Sequence, residues 1–150
     1  MEVVKKELIQ YLCNDLEDQK ELLILEKESI NKEMAKETKS SAGDKFETSR
    51  EMMNQERGRI ENRIAHLDHL SRIAKDMSSV KIEAKVSFGS LVKTNYGWFL
   101  FGLALGKLNY KNNVIFALSL NSPIGKVFHQ VKEAGTIHFM NKMYTIEKIY

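Results

Sequence analysis

The sequence predicts an α+β protein in two parts. Residues 1–79 form an N-terminal antiparallel coiled-coil hairpin. Residues 80–150 form a small antiparallel sheet with one short helix. Three observations predict this. Apolar residues recur every seven positions through two long runs that contain no proline. After residue 85 that period gives way to short aromatic and branched runs between turn signals. Composition changes at the same place: residues 1–80 carry 14 Lys/Arg against 17 Asp/Glu, and residues 81–150 carry nine Lys against three Glu. Every Asp and every Arg lies in the first part, and of 13 aromatic residues only Tyr11 and Phe46 lie there.

Residues 2–37 read as one helix rich in Glu, Lys and Leu, which are strong helix formers. Ile9, Leu16, Leu23 and Ile30 are seven apart, with Leu12 beside them and Gln19 and Glu26 interrupting. Residues 46–77 repeat the pattern with Phe46, Met53, Ile60, Leu67 and Ala74, and Ile64 between. A sustained period of seven is a coiled-coil seam. The joint is Thr38 to Asp44, where Ser40, Ser41 and Gly43 supply loop chemistry. A joint that short sends the second helix back along the first. The first helix is then about 50 Å long and the second somewhat shorter.

Residues 78–85 connect the two parts. Residues 87–92, 97–105 and 114–120 read as strands, with turns at 95–97 and 110–113. Ser122 followed by Pro123 starts a short helix, with Ser as N-cap and Pro at the first helical position. Residues 136–140 and 143–149 pair around Asn141-Lys142 as a hairpin. Trp98, Phe99, Phe101, Phe116 and Phe128 are the expected large members of the core.

Several function classes are excluded. The single Cys13 cannot make an intrachain disulfide, and no Cys/His zinc pattern is present. No apolar run is long enough to span a membrane, and the N-terminus lacks a signal-peptide core, so no membrane partner and a cytoplasmic location are expected. Gly102 to Lys107 lacks the spacing of a phosphate loop. His66 and His69 flank Asp68, but a solvated helix face accounts for them better than a metal site short of ligands. The five arginines at 50, 57, 59, 63 and 72 either line a partner-facing stripe or pair with glutamates of the neighbouring helix. The scattered lysines of residues 81–150 suit docking on an acidic protein surface better than direct binding of nucleic acid.

Chemistry concentrates at the acidic hairpin tip, residues 43–47. Asp44 and Glu47 stand three apart where the second helix begins, on one side of its first turn. Asp followed by Glu at that spacing is also a capping box. Two carboxylates alone bind Mg²⁺ weakly, because Mg²⁺ usually keeps waters and takes substrate phosphates as further ligands. A long rod ending in such a pair suits delivery of ligands into a partner's two-metal phosphoryl-transfer site.

The sequence resembles the Gre family of bacterial transcript-cleavage factors along nearly its whole length. Gly43-Asp44-Lys45-Phe46-Glu47 is similar to the family's Gly-Asp-x-x-Glu tip. Residues 55–67, QERGRIENRIAHL, are similar to its Gln-Gly-x-x-Glu-x-Arg-Ile segment. Residues 86–92 and 119–125, VSFGSLV and SLNSPIG, resemble two further strings in the same order. Thr48 to Met53 depart from the family, which has Asn and then Tyr after the tip Glu, and Thr136 stands where an Asp often follows the glycine. The resemblance implies a C-terminal FKBP-like domain that binds RNA polymerase and a coiled coil that enters the secondary channel. It implies that Asp44 and Glu47 help hold a second catalytic Mg²⁺, shared with the polymerase and not bound stably by this chain alone. The polymerase then cleaves the 3′ end of backtracked RNA, so the chain stimulates another enzyme's hydrolysis and lacks a complete active site. The alternatives are a channel regulator that does not cleave and a coiled-coil adaptor. Proline isomerase activity ranks below polymerase binding, since the aromatics are already committed to the core.

Overall fold

The computed structural model describes residues 3–37 and 43–150, and the side chains of all of these except 37 and 43–46. Its class is the α+β one expected. Two long helices, α1 (Lys5–Glu37) and α2 (Gly43–Ser79), precede six strands and a short helix. Helix α2 starts earlier than the residue 46 the seam suggested: Gly43 and Asp44 are helical, not loop. Ser40, Ser41 and Ala42 lie outside the described residues. The chain divides into two compact units, one of Asn14–Ser71 and one of Met1–Cys13 with Arg72–Tyr150.

Within Asn14–Ser71 the helices run antiparallel in one register. Lys20 pairs with Asp68 at 3.1 Å and Lys27 with Glu61 at 3.1 Å, and Arg57 donates to Asn31 at 3.4 Å. Each step up α1 is thus matched by an equal step down α2. Lys20 also pairs with Glu17 at 2.9 Å; hydrogen bonding to Glu17 and then to Asp68 holds its ammonium above the ordinary lysine range. Leu16, Leu23, Ile60, Leu67 and Leu70 bury the seam. Ile30 and Met53, nearer the joint, are only half-buried. Gly58 sits inside α2 with nothing within 4 Å of where a Cβ would stand. Gly58→Ala is therefore expected to stabilise the protein by about 0.5–1 kcal/mol, because alanine loses less backbone entropy on becoming helical. The check is a rise in helix melting temperature by circular dichroism.

The other unit is built on a mixed sheet of strands β1 (Leu91–Thr94), β2 (Gly97–Phe101), β3 (Gly106–Tyr110), β4 (Asn113–Leu118), β5 (Thr136–Phe139) and β6 (Lys142–Ile149). Their order is β3-β4-β2-β1-β6-β5. The expected all-antiparallel sheet is corrected at one pairing: β2 and β4 run parallel, Trp98 opposite Ile115 and Phe101 opposite Leu118. The cause is β3, a strand that the sequence reading did not include. After β2 the chain bends at Gly102 (φ +126) and turns at Gly106 (φ +74), and β3 takes it back along the sheet edge. The tight turn Tyr110 to Asn113 then lays β4 between β3 and β2. Residues 87–90, expected as strand, form a turn before β1. The last hairpin turns on Met140 and Asn141, both with positive φ, one residue earlier than Asn141-Lys142.

Helix α3 (Pro123–Phe128) starts as its sequence predicts: the Gly125 amide donates to the Ser122 hydroxyl at 3.0 Å. It sets Phe128, fully buried, against Phe99, Phe101 and Tyr144. Val92, Ile137, Ile146 and Ile149 complete this core, with Phe116 half-buried at its margin. Gly125 allows α3 to approach the preceding turn. A Cβ there would stand 2.2 Å from the Ser119 carbonyl oxygen and 2.8 Å from the Leu120 Cα. Gly125→Ala is expected to cost about 1–3 kcal/mol, since backbone must shift to admit one methyl group. A lowered urea midpoint at constant slope would register the loss.

The ends of both helices belong to this same unit. Leu8, Leu12, Ala74 and Met77 are buried there, and Tyr11 packs on Tyr110 with ring centroids 5.1 Å apart. Lys111, in the turn after β3, pairs with Glu7.

Candidate functional site at the hairpin tip

The interhelical register fixes the tip. Asn31 lies level with Arg57, so six residues further Glu37, the last of α1, lies level with Glu51. Helix α2 starts at Gly43, on the joint side of that level. Asp44 and Glu47 are three residues apart on one side of the helix at its start. The Glu47 side chain is exposed; that of Asp44 lies outside the described residues. Because α2 begins at Gly43, Asp44 is a first-turn residue and not the N-cap expected from the capping-box spacing. Carboxylates in a first turn are favoured by the unpaired amides and dipole of the helix start. Carboxylate oxygens suit a hard cation. Arg50, three residues beyond Glu47, is also exposed.

Among the described residues, no three of His, Cys, Asp and Glu gather where a metal ion could be held. The tip carboxylates fit a Mg²⁺ ion only as a partial ligand set, the rest coming from elsewhere. His66 and His69 are exposed on α2 and Asp68 between them is engaged by Lys20, in keeping with a solvated face. Among the described residues the cross-helix ion pairs are made by Lys20 and Lys27, not by the arginines. Arg59 pairs within its own helix with Glu56 at 3.3 Å. Gly102 to Lys107 bends into β3 and forms no phosphate cradle; His129 and His138 are exposed. Among the described residues no helix is long and apolar enough to cross a membrane.

Sequence reasoning placed the carboxylates at a helix start, and Gly43 and Asp44 are helical.

No protein-family model matches the chain, and no curated protein matches it. Among solved structures the chain is similar to one described as that of the transcription factor Gfh1. The likeness covers 92% of each chain at 18% identity, with a TM-score of 0.34.

Proposed function

We propose that this protein is a transcription factor that works inside RNA polymerase. It enters the secondary channel with its helical hairpin and stimulates Mg²⁺-dependent cleavage of backtracked RNA. The observation that supports this reading is the start of α2 at Gly43, which sets Asp44 and Glu47 three residues apart on one side of the helix. The joint end of that helix thus begins with two carboxylates. Bound Mg²⁺ polarises a phosphoryl oxygen and lowers the pKa of water. Asp44 and Glu47 would supply oxygen ligands to such an ion, the rest coming from the partner. Their charge favours loss of a proton from the attacking water, and their helix start holds them in place. The chain thus completes another enzyme's site and has no whole site of its own.

A second reading is favoured by Arg50, whose exposed guanidinium lies one turn from Glu47. A cation there competes with Mg²⁺ for the carboxylates and suits a channel regulator that binds without cleaving. RNA cleavage in a stalled, backtracked complex at limiting Mg²⁺ separates the two. Cleavage raised by the wild-type chain supports the first, and binding without cleavage supports the second.

A further inference from the structure

A cavity of about 480 Å³ opens in the unit that holds the sheet, among the start of α1, the end of α2 with the segment after it, and Tyr150. Its inner wall is apolar: Val3 and Ile9 are buried, and Val80 lies beside them. Ile82, two-thirds exposed, stands at the rim. Lys5 also lines it, half-buried, and no described residue offers it a hydrogen bond or counter-charge. Burial alone pushes its pKa below the ordinary lysine range. An ammonium partly removed from water, with no counter-charge among the described residues, carries a desolvation cost that an arriving anion offsets.

The size falls within the roughly 300–1,000 Å³ of small-molecule sites, and so does the make-up, an apolar wall with two lysines, half-buried Lys5 and exposed Lys6. A nucleotide or phosphate is a poor match. No arginine lines the cavity, and of its two lysines only Lys5 is half-buried while Lys6 is exposed, so one partly desolvated ammonium balances a single negative charge better than a dianion. We propose that the cavity binds a small amphiphilic carboxylate, its alkyl tail along Val3, Ile9, Val80 and Ile82 and its head group on the Lys5 ammonium. This site is separate from the tip and does not depend on the polymerase reading.

The test is calorimetric titration of the full chain with octanoate and, separately, with 1-octanol, which has the same tail without the charge. Saturable one-site binding of octanoate is expected. Lys5→Met keeps the length of the side chain and removes its charge. It is expected to weaken octanoate roughly tenfold or more while leaving octanol unchanged. Ile82→Asp, at the exposed rim, is expected to weaken both ligands. Circular dichroism verifies that each variant is folded. Absence of saturable octanoate binding to the wild type overturns the proposal, as does equal octanoate affinity in folded Lys5→Met. Should Lys5→Met not fold, Ile82→Asp decides: unchanged octanoate affinity overturns the proposal.

Discussion

Replacing Asp44 by Asn and Glu47 by Gln together is expected to lower stimulated RNA cleavage by about 100-fold or more at limiting Mg²⁺. Both substitutions keep shape and remove charge, so they isolate the carboxylates' hold on the cation. Stability should fall by no more than about 1 kcal/mol, the scale of a first-turn charge against the helix dipole. Affinity for polymerase should hold, because the proposal assigns the tip to the metal. The measurement is RNA cleavage in a backtracked complex, with binding followed in parallel. Raising Mg²⁺ should recover part of the lost rate in the single Glu47→Gln variant, where one carboxylate remains. Equal stimulation by the double variant would remove both residues from the chemistry and leave the hairpin as a positioning rod. Binding of the wild type without cleavage would point instead to the regulator reading.

Phe128→Ala is expected to destabilise the sheet unit by about 3–5 kcal/mol, the usual cost of deleting a fully buried ring. The ring meets Phe99 and Phe101 at centroid distances of 5.2 Å each and Tyr144 edge-on at 5.6 Å. Its loss therefore removes several aromatic contacts along with buried area. It also removes the one fully buried side chain by which the six-residue α3 holds the sheet. Since whole domains are stable by about 5–15 kcal/mol, this single change consumes a large share. Trp98 is the only tryptophan and lies in β2 beside Phe99, so its fluorescence during urea unfolding reports on this unit. Phe128→Leu, which leaves a smaller void, should lose less than half as much. A shift below about 1 kcal/mol for Phe128→Ala would mean that the ring is not part of the core.

Particular residues show how far the sequence could be read. The heptad positions Ile9, Leu16, Leu23, Ile60, Leu67 and Ala74 are buried, because a period of seven is a local property of each helix. Toward the joint the same period continues through Ile30 and Met53, yet these are half-buried. Period alone does not report how closely the helices pack. Ser122-Pro123 marked the start of α3 because capping is settled by neighbouring residues. The parallel pairing of β2 with β4 was not legible. Short apolar runs specify strands but not partners, and β3, with one half-buried and one buried position, has little apolar signal.

By itself the sequence determined the two long helices, their seam, the start of α3, the aromatic core and the presence of two carboxylates at the beginning of α2. All of these follow from residues near one another along the chain. The tertiary structure decided the parallel pair in the sheet, the close approach at Gly125, the half-buried Lys5 facing an apolar cavity, and the register of α1 against α2. Each of these depends on which distant segments meet and at what offset. That is set by packing and by cross-helix pairs such as Lys20 with Asp68, 48 residues apart, and not by local periodicity.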